Sequence, residues 1–189
     1  MLKDLVRRNR SYRRFYEDVP ISMDTLKELV DLARLSASGT NLQPLKFYLS
    51  CEPGRNGKIF PLLSWAGRLP KWLGPAQGER PSAYIIILGD TKIRKSFNVD
   101  HGIAAQSILL GATEMGLGGC MLASIKREEA RKLLDIPPHL EILLAIALGK
   151  PKEKVVLDTI KPGEDTKYWR EADGTHHVPK RRLEDIIIY

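Results

Sequence analysis

Arg7-Arg8-Asn9-Arg10-Ser11-Tyr12-Arg13-Arg14-Phe15 places five arginines within eight residues near the N-terminus. So dense a cluster repels itself unless an anion neutralises it, and a guanidinium group binds phosphate through two parallel hydrogen bonds. Tyr12 and Phe15 lie three residues apart inside the cluster, which favours an ordered segment docked on a core. The stretch therefore predicts a fixed pocket for one small phosphate. A merely solvated basic helix end is the alternative.

The composition is that of an ordinary globular chain. Its 189 residues are 43% hydrophobic and 28% charged, which predicts one domain, residues 1–189, with a sizeable core. The net charge of +7 leaves nucleic acid, anionic cofactors and membrane surfaces open as partners. Cys51 and Cys120 form no Cys-x-x-Cys pair, so no metal site and a reduced, cytoplasmic setting are expected. Residues 1–15 are too polar for a signal peptide, so none is expected, and no apolar run reaches the roughly 20 residues that cross a bilayer, so no membrane partner is expected.

The hydrophobic pattern predicts alternating helices and strands as far as residue 150. Helical periods are found at 2–6, at 22–36, from about 98 to 115, and at 126–134. Apolar runs predict strands at 45–50, 83–89 and 142–148, and a loop leading into a strand at 117–124. The helix that ends before Gly116 is apolar nearly all round, and its residues Gly102 and Gly111 favour close packing against a second subunit.

The loop over 36–44, Ser-Ala-Ser-Gly-Thr-Asn-Leu-Gln-Pro, joins a predicted helix to a predicted strand. Its short polar side chains suit contact with the polar edge of a flat ligand. The alternative is a helix C-cap at Gly39 followed by an Asx turn at Asn41.

Two long regions lack a clear period. The segment 52–78 is rich in Gly, Pro and aromatic residues, and we favour a lid over a site rather than a satellite packed on the core. The segment 151–189 is polar until Ile186-Ile187-Ile188-Tyr189, which predicts a strand added to the sheet of a partner subunit. Lys180-Arg181-Arg182 is a second basic cluster on this arm, and it would hold the same phosphate if it meets the first.

Other sequence motifs for cofactor binding or catalysis are incomplete or absent. Gly116 and Gly118 begin a dinucleotide-like motif, but Met121 stands where its last glycine is required. Gly149-Lys150 is followed by Pro151, so it is not a phosphate-binding P-loop. The four histidines are expected to be structural or solvated, and no catalytic side chain is predicted.

Three features, in this order, resemble the FMN-dependent nitroreductase family. They are Arg10-Ser11-Tyr12-Arg13, the loop Ser38-Gly39-Thr40-Asn41-Leu42-Gln43-Pro44, and the turn Gly116-Leu117-Gly118-Gly119 after the long helix. The resemblance covers about residue 5 to residue 188. The chain departs from the family pattern at Asn9, where the family has Arg, at Ala37, where it has Pro, and at Leu45, where it has Trp.

The resemblance implies an α+β fold, a three-layer sandwich whose central mixed sheet is flanked by helices. It also implies an intertwined homodimer with FMN sites at the interface and residues 151–189 exchanged between subunits. Arg10, Ser11 and Arg13, with Tyr12 in the same motif, would hold the FMN phosphate together with Lys180 and Arg181. Further cofactor contacts are implied for the following residues: Ser38, Asn41, Gln43, Leu122, Ala123 and Ser124.

The implied activity is ping-pong hydride transfer from NAD(P)H, through FMN, to a small electron-poor acceptor such as a nitroaromatic or quinone. The flavin would carry this chemistry, so no catalytic acid or base is required. Alternatives are a relative of the same fold with dehalogenase-like chemistry, a flavin carrier, or a basic nucleic-acid-binding module. The last is disfavoured because no known nucleic-acid motif is present.

Overall fold

The protein is described by a computed structural model that covers residues 1–69 and 72–188. Its α-helices are α1 (Leu2–Arg8), α2 (Met23–Leu35), α3 (Pro53–Ile59), α4 (Asp100–Glu114) and α5 (Arg127–Leu133). Its strands are β1 (Phe15–Tyr16), β2 (Leu45–Ser50), β3 (Ala83–Asp90), β4 (Gly118–Leu122), β5 (Leu140–Pro151), β6 (Val155–Ile160), β7 (Trp169–Arg170) and β8 (His176–Arg181). Short 3-10 helices cover Gly39–Asn41, Phe60–Leu62 and Leu183–Asp185. Within the described ranges, no helix is long and apolar enough to cross a membrane.

Five strands form the central sheet. The order is β1-β5-β3-β2, and β4 pairs with β5 on the same side as β1. Every ladder in this sheet is antiparallel. Among the described residues, the parallel component expected of the central sheet is limited to one isolated bridge between Ser11 and Gly119.

Strand β3 shows why helices cover both faces of the sheet. Successive side chains of a strand point to opposite faces, and β3 is buried on both. Ile85 and Ile87 belong to a core shared with α2 and α4, whereas Ile86 and Leu88 belong to a core shared with α3 and α5. The predicted three-layer α+β sandwich is therefore confirmed.

Helices α2 and α4 pack closely on one face. The Ser22 side chain caps α2 by accepting a hydrogen bond from the Thr25 amide at 3.0 Å. A Cβ atom on Gly111 of α4 would lie 2.3 Å from Leu32 Cδ1 of α2. The close neighbour of Gly111 is thus a helix of the same chain, which corrects the expectation of a second subunit there. Gly102 meets nothing within 4 Å.

The segment 52–78 is more regular than expected. It begins with α3 and a 3-10 turn, and Ile59, Leu62, Leu63 and Trp65 are buried in the core that faces α5. The lid interpretation is therefore wrong for residues 59–66, which are a satellite packed on the core. Hydrophobic burial explains this, since each fully buried large side chain contributes roughly 1.5–3 kcal/mol.

The C-terminal region forms a second, three-stranded sheet. Strand β8 lies between β6, to which it is parallel, and β7, to which it is antiparallel. The hydrophobic pattern of the sequence did not predict these strands, because their residues are mostly polar or half-buried. The predicted strand at 186–188 is not formed in the protomer; Ile186 and Ile188 are exposed, and Tyr189 lies outside the described residues.

Candidate functional site

Two glycines let the arginine-rich segment lie against strand β4. A Cβ on Gly118 would come within 2.5 Å of the Tyr12 ring, and one on Gly119 within 2.6 Å of the Ala147 carbonyl oxygen. The Tyr12 amide donates to the Gly119 carbonyl at 3.0 Å, next to the bridge between Ser11 and Gly119. The glycine-rich turn therefore holds residues 10–12 against the sheet.

A buried carboxylate docks the C-terminal region on the same segment. The Glu153 side chain is fully buried and accepts hydrogen bonds from the backbone amides of Arg13 and Arg14. Its second oxygen accepts from Arg170 Nη2 at 2.8 Å. One carboxylate thus joins the N-terminal arginines to strand β7, and its charge is compensated by hydrogen bonds on both oxygens.

Arg14 is already neutralised. Its guanidinium donates to both oxygens of Glu79, at 2.7 and 2.6 Å, and Lys152 lies 3.2 Å from the same carboxylate. The hydrogen bond from Arg14 is the main cause that lowers the pKa of Glu79 to about 2. Arg14 is therefore committed to Glu79, which leaves Arg10 and Arg13 as the cations of the motif that face a cavity.

The cavity has a volume of about 300 Å³. Its lining residues are Asn9, Arg10, Ser11, Arg13, Gln106, Leu109, Met121, Tyr168, His176, Val178 and Lys180. Three of these are cationic, and among the residues that the structure describes no Asp or Glu contributes to the lining. The cavity therefore has a strong preference for an anion.

Several buried nitrogens at this cavity lack a hydrogen-bond partner. They are Nε of Arg10, Nε of Arg13, and both ring nitrogens of His176. Burial, with the nearby charges of Arg13 and Arg170, lowers the pKa of His176 to about 4. A buried donor without an acceptor costs about 1–3 kcal/mol, so a bound anion would stabilise this arrangement. A phosphate, with several acceptor oxygens, fits the donor set.

The predicted loop residues lie elsewhere. Ser38 and Gln43 line a separate cavity of about 150 Å³, together with Asp100. The buried Asp100 carboxylate accepts from Ser38 Oγ at 2.7 Å and from the Gly39 amide at 3.0 Å, which fixes the loop to the start of α4. Asn41 is exposed, and both Asn41 and Gln43 have positive φ, a strained state typical of functional loops. Within one protomer, Ser38, Asn41 and Gln43 do not join the arginines.

The remaining predicted cofactor-binding residues lie in different parts of the structure. Lys180 lines the cationic cavity, whereas its neighbour Arg181 lines another cavity near residues 160–164. Leu122 is buried in the core, and the carbonyls of Ala123 and Ser124 accept from Arg127 Nη2 and from the Ser64 amide. None of these three lines the cationic cavity.

Sequence reasoning missed seven lining residues, namely Asn9, Gln106, Leu109, Met121, Tyr168, His176 and Val178. Gln106 was detectable as a polar residue in an apolar helix. Met121 is the neighbour of Leu122, which was the predicted contact. Neighbouring residues of a strand point to opposite faces, so an error of one residue selects the wrong face. Tyr168 and His176 gave no usable signal, because the strands that carry or flank them were not predicted.

A family model and several known proteins match the chain. The model of the nitroreductase family matches residues 6–61 and 67–150. The chain therefore belongs to the nitroreductase family and is a nitroreductase-like oxidoreductase.

Three relatives illustrate the match. A protein of Archaeoglobus fulgidus, named as a candidate NADH dehydrogenase/NAD(P)H nitroreductase, is 28% identical over 75% of this chain and 80% of its own. The iodotyrosine deiodinase of Thermotoga neapolitana is 25% identical over 81% of this chain and 90% of its own. The structure of an FMN-dependent nitroreductase from Clostridium difficile R20291 superposes with a TM-score of 0.68 at 18% identity, over 98% of this chain and 96% of that one.

Proposed function

We propose that this chain is an FMN-dependent oxidoreductase that takes a hydride from NAD(P)H and reduces a small electron-poor acceptor, such as a nitroaromatic or a quinone. The bound FMN would supply the redox chemistry. The observation that carries the proposal is the cationic cavity. Arg10, Arg13 and His176 line it, each has a buried nitrogen without a hydrogen-bond partner, and no acid is among the described lining residues.

The chain's own residues would bind and orient the FMN. Arg10, Arg13 and Lys180 supply positive charge for a phosphate, and Ser11 supplies a hydroxyl at the same place. Arg13 lies 5.1 Å from the centre of the Tyr168 ring, a cation–π contact that holds its guanidinium in position. No side chain is required as an acid or base, which agrees with a lining that contains one buried, neutral histidine.

A second copy of the chain would complete the site. Ser38, Asn41 and Gln43 lie outside the cationic cavity in one protomer, so their predicted contacts with the ring and ribityl chain require a homodimer. The exposed Ile186, Ile187 and Ile188 are available to pack on that second copy. This supports packing of the C-terminal end, residues 183–189, on the second copy, whereas Glu153 contacts the arginine segment of its own protomer and Lys180 lines the same cavity as that segment.

Deleting residues 183–189 tests the dimer while leaving β8 and Lys180 intact. Burying one isoleucine contributes ~1.5–3 kcal/mol, so losing two or more should weaken dimerisation roughly 100-fold or more. Analytical ultracentrifugation measures the change, with Leu73→Ala, another exposed apolar side chain, as the control. A deletion variant that stays dimeric and keeps its flavin would refute a role of residues 183–189 in the dimer.

The proposed activity is tested by the visible spectrum of the purified protein after FMN is added and excess is removed. Anaerobic NADH or NADPH should bleach the bound flavin, and a nitroaromatic or a quinone should restore its colour. Retained flavin that neither donor bleaches would contradict the NAD(P)H assignment and favour a carrier. A colourless protein would contradict FMN binding, and salt-dependent nucleic-acid binding would then be measured.

Reductive dehalogenation is the second candidate, because a relative named iodotyrosine deiodinase aligns over 90% of its own length. Anaerobic release of iodide from 3-iodotyrosine by the reduced protein would support it. Rapid turnover of nitroaromatics without iodide release would support the first candidate.

A further inference from the structure

A second cavity, of about 270 Å³, shares no lining residue with the cationic cavity. It lies between the segment after β1, helix α3 and the start of β3. Its walls include Glu17, Asp18, Phe60, Arg80, Ser82 and Tyr84. Nothing in the proposed flavin chemistry uses these residues, so a role for this cavity does not depend on that function.

Three residues that line this cavity each contain a buried polar atom without a hydrogen bond from the described residues. These atoms are Oη of Tyr84, Oγ of Ser82 and Nε of Arg80. Tyr84 is 0% exposed and Ser82 is 8% exposed. Burial raises the pKa of the Tyr84 phenol well above its ordinary value, so its hydroxyl keeps its proton and remains a donor. Each orphaned group has a desolvation cost that only a ligand or ordered water would remove.

The charges around Tyr84 are of both signs. The Arg80 guanidinium lies 4.3 Å from the centre of the Phe60 ring and forms no ion pair with a described residue. Glu17 uses one carboxylate oxygen to accept the amides of Gly78 and Arg80. The Arg80 charge lowers, and the Glu17 charge raises, the pKa of the Tyr84 phenol, so both charges act on the same hydroxyl.

These features select a ligand class. Donors from Arg80, Ser82 and Tyr84 suit the two oxygens of a carboxylate, because a guanidinium matches that planar group. Glu17 and Asp18 in the same walls disfavour a phosphate or a dicarboxylate and favour a ligand that also carries a cation. Phe60 and the neighbouring prolines provide an apolar wall.

We propose that this cavity binds a small zwitterion of the amino-acid class. The carboxylate would face Arg80, Ser82 and Tyr84, and the ammonium would face Glu17 and Asp18. A modest apolar side chain would lie against Phe60.

The chain contains its own reporter for this site. Cys51 lines the cavity and is half-buried, whereas Cys120 is 2% exposed and lies in the core. Labelling of the full chain by a thiol reagent should therefore report on Cys51, and Cys51→Ser verifies that assignment by removing the fast reaction. The probes are L-leucine and L-alanine, with 4-methylpentanoate and 3-methylbutylamine as the two halves of leucine, each at millimolar concentration.

At least one amino acid should slow Cys51 labelling severalfold and raise the thermal midpoint, whereas the two half-molecules should not. Arg80→Gln should weaken the effect about tenfold or more, because a charge-assisted hydrogen bond is lost. Tyr84→Phe should also remove it while keeping the shape of the core. Tyr16→Phe, an exposed tyrosine outside the cavity, should respond like the unmodified chain.

Two results would overturn the proposal. If neither amino acid slows labelling, ordered water alone satisfies the hydroxyls. If the half-molecules act as well as leucine, the site lacks the required pairing of charges. Should Tyr84→Phe fail to fold, Ser82→Ala provides the same comparison, since it removes only one hydroxyl.

Discussion

Residues with unpartnered buried polar atoms line both the cationic cavity and the second cavity, but the two cavities differ in how the chain builds them. The first draws Arg10, Ser11 and Arg13 from one dense motif and adds Lys180 from the C-terminal sheet. The second collects single residues between Glu17 and Tyr84, where no motif marks them. The difference teaches that excess charge of one sign is readable in a sequence, whereas a balanced polar site becomes visible only in the fold.

The largest expected effect tests what holds the cationic cavity together. Glu153→Gln should destabilise the protein by about 3–5 kcal/mol, because it leaves the buried end of Arg170 and two backbone amides without their charged acceptor. Urea unfolding measures the loss. Glu129→Gln, on the exposed face of α5, should change stability by less than about 0.5 kcal/mol.

If Glu153→Gln folds, it should lose FMN affinity and keep amino-acid protection of Cys51. Loss of both properties would show that the two cavities are not independent. Equal stability of the Glu153 and Glu129 variants would refute the docking role of Glu153.

The next effect concerns the phosphate itself. Arg13→Ala should weaken FMN binding about 10- to 150-fold, because a charge-assisted hydrogen bond contributes ~1.5–3 kcal/mol. Fluorescence titration of the flavin measures the dissociation constant. Arg7→Ala carries the same change of net charge on an exposed helical residue outside the cavity and should bind nearly as the unmodified chain does. Equal effects of the two substitutions would mean that only the overall charge matters.

The elements that carry the residues of these two tests could not all be predicted from the sequence. The strands at 45–50 and 83–90 and the helix at 100–114 follow from apolar periodicity, because the core they build is large and hydrophobic. The arginine motif was predictable because its charge needs an anion. Strands β6 to β8 could not be predicted in this way, since their residues are mostly polar or half-buried and show no apolar period.

Within the candidate site, the sequence could not predict which face of a strand each side chain occupies. Lys180 and Arg181 are neighbours in β8, yet they line different cavities. The family resemblance implied both residues but predicted neither their strand nor the face on which each side chain lies. At β4 a strand was predicted, but Met121 rather than Leu122 lines the cationic cavity.

The third effect is a pH dependence at His176. Its pKa is about 4 in the folded protein, below the ordinary 6.5, so the unfolded chain binds more protons between these values. The stabilisation from His176 is therefore complete above pH 6.5 and is lost as the pH falls towards 4, by roughly 1–3 kcal/mol. Urea unfolding across this range should show less loss for His176→Gln. A parallel loss in both proteins would contradict the assignment.

FMN should reverse this behaviour. Arg13, Arg170 and His177 are the charged or titratable groups that act on His176, and Tyr168 packs on its ring at 5.2 Å. The negative charge of a bound phosphate favours the protonated ring, so near pH 5 His176 should take up protons that offset those released by the phosphate group itself, whose second pKa is about 6. Calorimetry in buffers of different ionisation enthalpy measures the net proton exchange. At pH 5 His176→Gln should release more protons than the unmodified chain on binding FMN, and at pH 8 the two should agree.

The smallest expected effect is a change in stability caused by a substitution in the second cavity. Ser82→Ala should raise the free energy of unfolding by about 1 kcal/mol, because the buried hydroxyl has no partner and its removal ends a desolvation cost. Ser50→Ala is the matched control: Ser50 is also buried, but its hydroxyl donates to Asn56 Oδ1 at 2.7 Å, so its loss should destabilise by a similar amount. Urea unfolding measures both, and opposite signs are expected without added amino acid. If both variants are destabilised, ordered water already satisfies Ser82, and the second cavity keeps its shape without a ligand.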